Sequence, residues 1–221
     1  MVRDLKCSIC DLILRLVIDG CIGSGKSTIL KELKKLGFAI QLEPLEKWSS
    51  ALIAFYDNPS ENGFALQALI VSTYGGASKD RSILPSGGFM ERSHYSCRAF
   101  IQAMVEQGYL SGLQSDQLLD EIETINPPHF AFVLISDLAT SIERIRLRSG
   151  NPNPGDENID VEYMQLLDAT YNDCMSNGRL GDCMSLKTDG LSPLEVVSEI
   201  LAALPAVQCN TCRGLGHTVV R

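Results

Sequence analysis

Short apolar runs alternate with longer segments whose apolar residues recur at helical spacing, and this alternation continues along most of the chain. Such a pattern is typical of an α/β protein with a mostly parallel sheet. Five apolar runs are predicted to be strands, over residues 14–19, 38–42, 88–90, 130–136 and 184–187. Helices are predicted over residues 24–36, 51–56, 64–74, 93–106, 113–125, 137–148, 163–175 and 193–204.

The predicted elements divide the chain into one domain and two short ends. Residues 13–204 contain every predicted strand and helix, while residues 1–12 and 205–221 are expected to be extensions outside the core. Within the domain, residues 150–157 carry two prolines, two glycines and two asparagines. This composition predicts a mobile loop between two helices.

The net charge and the lengths of the apolar runs argue against some classes of function. The formal net charge of −8 argues against a long polyanion such as a nucleic acid as partner, although a local cation cluster can still bind a small phosphate ligand. No uninterrupted apolar stretch approaches the roughly 20 residues of a membrane span, and no cleavage site follows the apolar run near the N-terminus. We therefore expect a cytoplasmic protein that has no membrane partner.

A glycine-rich loop between the first predicted strand and helix indicates nucleotide binding. Gly20-Cys21-Ile22-Gly23-Ser24-Gly25-Lys26-Ser27 matches the Walker A pattern. Backbone N–H groups of such a loop, together with the helix N-terminus, form an anion site for phosphates. We expect Lys26 to reach the outer phosphates of ATP and Ser27 to hold magnesium, with Thr28 completing the site. The alternative is a glycine-rich turn that only caps a helix.

Further motifs resemble those of the deoxyribonucleoside kinases, a family that includes mitochondrial thymidine kinase and deoxycytidine kinase. They occur in the family's order and extend the resemblance to about residues 13–204. The matching segments are Glu43-Pro44-Leu45-Glu46-Lys47-Trp48, Tyr56-Asp57-Asn58-Pro59, Ala65-Leu66-Gln67, Glu91-Arg92-Ser93 and Arg144-Ile145-Arg146-Leu147-Arg148. The resemblance implies a three-layer α/β P-loop kinase with a parallel five-stranded sheet, an arginine-rich lid and a helix-mediated homodimer.

The resemblance also implies catalytic roles, and each has a physical basis. A sugar hydroxyl is a poor nucleophile, so Glu43, after the second strand, is the expected general base. Arg92 is expected to align this carboxylate with the 5′-oxygen, and Glu91 to join Ser27 at magnesium. The plainer alternatives are a solvated loop glutamate at position 43 and a buried structural ion pair formed by Glu91 and Arg92.

The arginines near residue 150 are expected to contact ATP. Arg144 and Arg148 are four residues apart, so they share one face of a helix and can hold phosphates together. Arg146 lies on another face and is expected to be a solvated charge. The predicted loop that follows favours a lid, although alternating arginines are more often simply exposed.

The resemblance places the nucleoside pocket on several segments. Gln67 is expected to bind a base edge, between walls formed by Trp48 and Leu66, and Tyr56 to contact the sugar 3′-hydroxyl together with Asp156 or Glu157. The family commonly stacks the base on a phenylalanine, and Ile101 occupies that place unless the alignment is off by one, which would bring in Phe100. Tyr74 and Cys97 are uncharged where deoxycytidine kinase has Arg and Asp, which favours thymidine and deoxycytidine as substrates.

Two functions compete with nucleoside phosphorylation. A nucleoside monophosphate kinase of the dTMP type would need further cations for the acceptor's phosphate. A non-catalytic nucleotide-binding regulator would keep Lys26 but would have no use for a base at Glu43. The first rival therefore differs from a nucleoside kinase in its acceptor, and the second differs in having no need for Glu43.

Two CxxC pairs at the chain ends have the spacing of zinc ligands. Cys7 and Cys10 form the first pair, and Cys209 and Cys212 form the second. They can complete a four-sulfur site only if the two ends meet, with His217 as an alternative ligand. The alternative is a pair of unordered or redox-sensitive tails.

Overall fold

The computed structural model describes residues 5–7, 13–79, 87–147, 161–204 and 218–220. No helix within these ranges combines the length and the apolar character needed to cross a bilayer. The strands are β1 (Leu5–Cys7), β2 (Arg15–Gly20), β3 (Ile40–Gln41), β4 (Gly88–Glu91), β5 (Phe130–Ile135), β6 (Cys183–Lys187) and β7 (Thr218–Val220). The helices are α1 (Lys26–Lys35), α2 (Leu45–Asp57), α3 (Pro59–Lys79), α4 (Cys97–Glu106), α5 (Gly112–Glu123), α6 (Leu138–Leu147), α7 (Val161–Ser176) and α8 (Pro193–Ala203).

Five strands form one parallel sheet in the order β3-β4-β2-β5-β6. The central strand β2 pairs with β4 on one side and with β5 on the other, and both pairings are parallel. The carboxyl ends of β2, β3 and β4 consequently meet at one edge of the sheet, where ligands of open α/β sheets bind. The predicted parallel five-stranded sheet is confirmed.

Helices cover both faces of this sheet. Alternate strand residues point to opposite faces, so Phe132 and Leu134 pack in a cluster with α1 and α8, whereas Val133 packs in another with α4 and α7. Because β2 and β5 are buried on both faces, their sequences are nearly continuous apolar runs. The predicted three-layer arrangement is thereby confirmed.

A second group of helices extends beyond the carboxyl edge of the sheet. Helices α2, α3 and α5 pack together and against α4 around an apolar cluster that includes Trp48, Phe55, Leu66 and Met104. This helical cluster forms one wall of the cavity described below.

The structure departs from the predictions near the second strand and at the chain ends. Helix α2 begins at Leu45, with Pro44 before its first turn, although its start was predicted at residue 51. Leu45 and Trp48 pack into the helical cluster, and this packing stabilises a helix that begins earlier than predicted. Leu5, which was assigned to an extension outside the core, is fully buried in the main core cluster, and its strand β1 pairs antiparallel with β7.

Candidate active site

The loop between β2 and α1 has the conformation that the glycine pattern predicts. Gly20 and Gly23 have φ of 129° and 81°, values that L side chains rarely adopt. A Cβ atom at Gly23 would lie 2.5 Å from the Ser141 carbonyl oxygen, so the loop passes directly against α6. Helix α1 begins immediately afterwards at Lys26, and its N-terminus therefore faces the loop.

Lys26 lies inside this loop with only 5% of its surface exposed. Its ammonium group donates hydrogen bonds to the carbonyl oxygens of Gly20 at 3.1 Å and Cys21 at 2.7 Å. Burial, and next the positive charge of Arg92, lower the pKa of Lys26 to about 8. Glu91, Glu43 and Asp19 oppose this shift, and a bound polyphosphate would add further negative charge that stabilises the ammonium, so the loop favours an anionic ligand.

Glu43 and Arg92 meet although they follow different strands. Glu43 comes two residues after β3 and Arg92 comes directly after β4, and their Oε1 and Nε atoms are 3.0 Å apart. The Glu43 side chain is 15% exposed and that of Arg92 is 6% exposed. Burial raises the pKa of Glu43, while the charge of Arg92 opposes this rise. The pair thus combines a carboxylate whose basicity is increased with a fixed cation beside it.

The backbone of Arg92 is unusual. Its φ of 59° makes it the one residue other than glycine with a positive φ among those that the structure describes. Such a conformation costs about 1–3 kcal/mol and is found preferentially at functional sites. Its backbone N–H donates to the Ile18 carbonyl oxygen at 3.0 Å, which continues the β2–β4 pairing past the end of β4.

Ser27 and Glu91 provide oxygen atoms suited to magnesium. The Ser27 hydroxyl donates to Glu91 Oε1 at 2.7 Å, and the other carboxylate oxygen of Glu91 lies 3.5 Å from the Glu43 backbone nitrogen. Magnesium prefers hard oxygen ligands such as a hydroxyl and a carboxylate, usually together with substrate phosphates. The donor set at this point therefore fits the ion.

A single cavity joins these groups to the helical cluster. Its lining contains the predicted residues Lys26, Ser27, Glu43, Trp48, Tyr56, Leu66, Gln67, Glu91, Arg92 and Cys97. The polar groups lie at the edge of the sheet, and the apolar walls come from the helices α2, α3 and α4. The cavity can accordingly hold a polar group beside Glu43 and a flat ring between the helices.

Gln67 is a buried amide among the helical residues that line the cavity. It is 2% exposed, and its side-chain carbonyl oxygen has no hydrogen-bond partner in the part of the chain that the structure describes. A buried, unsatisfied polar atom costs about 1–3 kcal/mol, which a ligand with a matching donor would recover. Nearby, Trp48 is held by a hydrogen bond of 3.1 Å from its Nε1 to the Thr73 hydroxyl.

Of the two candidates for base stacking, Phe100 lies at the cavity and Ile101 does not. Ile101 is 1% exposed within the helical core, and it is absent from the cavity lining, whereas Phe100 lines the cavity. Neighbouring residues on a helix point about 100° apart, so a shift by one position exchanges a cavity residue for a core residue. Phe100 also lies against Arg92, with 4.9 Å between the ring centroid and the guanidinium carbon.

Arg144 is placed at the phosphate loop. Its Nη1 donates to the Ser24 carbonyl oxygen at 3.3 Å and to the Thr188 hydroxyl at 3.2 Å. The other residues assigned to the lid or to its loop lie outside the described residues: Arg148, Asp156 and Glu157. The same holds for Cys10, Cys209, Cys212 and His217, while only the backbone of Cys7 is described.

Several residues at the site were not predicted from the sequence. Tyr163 and Phe55 line the cavity, and Asp19 and Tyr171 form a buried polar cluster beside Arg92. Asp19 could have been noticed as an acidic residue inside an apolar run just before the loop. Tyr163 and Tyr171 lie in an ordinary amphipathic helix, and nothing local distinguishes them.

The burial of His94, two residues after Arg92, leads us to expect that the stability of the fold depends on pH. It is 4% exposed, and burial, with the charge of Arg98 second, lowers its pKa to about 4. In the unfolded chain a histidine binds a proton below a pKa of about 6.5, whereas the native state stays neutral down to about 4. Stability should consequently fall as the pH drops through this window.

Urea unfolding at pH 7.5 and pH 5 measures this loss of stability. We expect the wild type to lose about 2 kcal/mol more than His94→Gln between the two values. Parallel pH dependences of the wild type and the variant would show that His94 is not responsible.

The fold and the loop together define a class. A parallel sheet with helices on both faces, a Walker A loop after the central strand and a carboxylate facing that loop are features of P-loop kinases. Comparison with known proteins narrows the class. The family model for deoxynucleoside kinases matches residues 16–200, so the chain belongs to the deoxynucleoside kinase family and is a kinase that phosphorylates nucleosides.

Relatives and solved structures are similar over most of the chain. A protein of Frog virus 3 (isolate Goorha) named "Putative deoxynucleoside kinase" is 26% identical over 162 residues, which cover 71% of this chain and 80% of that protein. A deoxyadenosine kinase from M. mycoides, solved with the products dCMP and a flexible dCDP, has a TM-score of 0.74 at 20% identity. That match covers 86% of this chain and 98% of the other, and a structure of the same enzyme with dATP gives the same TM-score.

Proposed function

We propose that the protein transfers the terminal phosphate of ATP to the 5′-hydroxyl of a deoxyribonucleoside, with thymidine and deoxycytidine as preferred acceptors. The observation that carries this proposal is the pair formed by Glu43 and Arg92, at the edge of a cavity that also contains Lys26. A primary alcohol placed at this edge would meet a proton acceptor and a cation together, next to the phosphate loop. This arrangement suits transfer to an alcohol better than simple retention of a nucleotide.

Each residue has a defined task in this proposal. Glu43 accepts the proton of the 5′-hydroxyl as the oxygen attacks the terminal phosphorus, and Arg92 keeps this carboxylate and the attacking oxygen in line. Lys26 and Arg144 balance the charge that spreads over the phosphoryl oxygens, and the leaving group is ADP. Ser27 and Glu91 would hold magnesium, which neutralises phosphate charge when it is bound.

The proposed pyrimidine preference depends on the uncharged walls of the pocket. Tyr74 is 5% exposed and its hydroxyl lies 3.4 Å from Glu43 Oε1, and Cys97, also buried, lines the same cavity. Burial raises the pKa of the Cys97 thiol, so this residue stays neutral. Without a charged partner there, recognition of the base would fall to the amide of Gln67, with Phe100 as a stacking surface.

A panel of acceptors tests the proposal. The initial rate of ATP-dependent phosphorylation is measured for thymidine, deoxycytidine, deoxyadenosine, deoxyguanosine and dTMP, and kcat/KM values are compared. We expect thymidine and deoxycytidine to give the highest values. Deoxyadenosine is the most informative alternative acceptor, because the similar M. mycoides structures are of a deoxyadenosine kinase. A purine preference would reject the base assignment, and transfer only to dTMP would favour the monophosphate kinase alternative.

Two features remain predictions from the sequence. The homodimer is implied by family resemblance. The zinc site requires the chain ends to meet, and the antiparallel pairing of Leu5–Cys7 with Thr218–Val220 supports this requirement for the backbone. The cysteines of the C-terminal pair and Cys10 lie outside the described residues, so zinc binding stays a hypothesis.

A further inference from the structure

A buried polar cluster lies beside Arg92, and the proposed chemistry does not use it. Its centre is Asp19, which is 1% exposed and immediately precedes Gly20 at the end of β2. Asp19 Oδ2 accepts a hydrogen bond of 2.6 Å from the Ser96 hydroxyl, and Oδ1 accepts one of 2.8 Å from the Gly20 N–H. A buried carboxylate needs such donors, since an unpaired charge in the interior is costly.

Tyr171, on α7, connects this carboxylate to Arg92. Its hydroxyl donates to Asp19 Oδ1 at 3.0 Å. Because a phenol has one hydrogen and Asp19 receives it, the same oxygen is free to accept a hydrogen bond, and Arg92 Nη1 donates to it. The hydrogen bonds therefore run in one direction, from the guanidinium of Arg92 through the phenol of Tyr171 to the carboxylate of Asp19.

These hydrogen bonds keep Arg92 between the carboxylates of Asp19 and Glu43. Arg92 Nη1 lies 3.6 Å from Asp19 Oδ1, beyond hydrogen-bond distance, whereas Arg92 Nε lies 3.0 Å from Glu43 Oε1. Asp19 already accepts hydrogen bonds from the neutral donors Ser96, Gly20 and Tyr171, so its carboxylate does not need a direct ion pair with Arg92. The Tyr171 oxygen instead bridges the two groups. The guanidinium is therefore directed toward Glu43.

We infer that Tyr171, anchored by Asp19, is a positioning residue that holds Arg92 beside Glu43 for phosphoryl transfer. This inference rests on the catalytic role proposed above for Arg92. Tyr171 does not line the cavity; its hydroxyl contacts Arg92 and Asp19, while its ring packs against Phe100. Without its hydroxyl, Arg92 is free to move toward Asp19 and away from the acceptor oxygen.

The first test is Tyr171→Phe, which removes one hydroxyl and keeps the ring. We expect kcat for thymidine to fall about tenfold, because a charged hydrogen bond is lost and a catalytic cation is displaced. The KM values for ATP and thymidine should stay within about twofold, since the groups that bind them are untouched. Asp19→Asn, which removes the anchoring charge, should show the same separation of kcat from KM. Tyr95→Phe is the matched control, because its ring packs on His94 and Arg98, and its kcat should equal that of the wild type.

A double-mutant cycle with Arg92→Lys distinguishes positioning from a structural effect. If Tyr171 acts through Arg92, Tyr171→Phe should lower kcat in the wild type and have almost no further effect in the Arg92→Lys background. The inference is overturned if Tyr171→Phe leaves kcat unchanged, or lowers it by the same factor in both backgrounds. An Arg92→Lys enzyme with normal kcat would instead reject the proposed role of Arg92, and with it this inference.

Discussion

Replacing Glu43 by glutamine is expected to lower kcat for nucleoside phosphorylation by about 10²-fold or more. The amide has nearly the size of the carboxylate but cannot accept the proton of the 5′-hydroxyl, so the attacking oxygen stays a poor nucleophile. The ground-state contacts of ATP should persist, because the hydrogen bonds that hold Lys26 in the phosphate loop go to the Gly20 and Cys21 carbonyl oxygens and not to Glu43. Steady-state kinetics with the preferred nucleoside, together with calorimetric titration of ATP, measure both quantities.

The matched control for this substitution is Glu46→Gln. Glu46 is exposed in the first turn of α2, three residues from Glu43, so the same change there alters the net charge equally. The control should keep wild-type kcat. Nucleoside binding can be followed in both variants through the fluorescence of Trp48, the single tryptophan, which lines the cavity. A Glu43→Gln enzyme as fast as the wild type would exclude Glu43 as the general base.

Replacing Lys26 by methionine should lower kcat/KM by about 10²–10³-fold. The methionine side chain has a similar length but carries no charge, so the phosphoryl group loses a buried cation. Both kcat and the affinity for ATP should decrease, in contrast to Glu43→Gln, since Lys26 is expected to contact the nucleotide in the ground state as well.

Lys31→Met is the control for this second prediction, because Lys31 lies on the exposed side of the same helix α1. It should keep wild-type kinetics and a wild-type Tm. If Lys26→Met retains normal affinity for ATP and normal kcat, the loop does not hold the nucleotide through this residue. Thermal unfolding of both variants in the absence of ATP shows whether any loss of rate reflects loss of the fold.

The phosphate loop and the start of α8 were predictable because their determinants are local. The apolar run before Gly20, the glycine spacing and the helix that follows lie within one short segment, and the structure has this strand, loop and helix. Ser192, Pro193 and Glu195 likewise predict the start of α8, and the capping box is present. Short-range hydrogen bonds and backbone preferences decide such features, so neighbouring residues are sufficient to specify them.

The shape of the pocket depended on packing between distant segments. Helical periodicity alone did not decide between Phe100 and Ile101, because only the position of α4 relative to the sheet determines which side chain enters the cavity. The start of α2 at Leu45 was missed for the same reason, since Trp48 gains its stabilisation from the helices around it.

Local sequence patterns were sufficient to identify the class of protein, the phosphate loop and the segments that carry Glu43, Gln67 and Arg92. How these groups meet, and which residues support them, depends on the packing of segments that are distant in the chain. Asp19 and Tyr171 are 152 positions apart along the chain, yet they share one hydrogen bond beside Arg92. Local patterns record backbone preferences within a few residues, whereas the placement of a buried charge depends on every element packed against it.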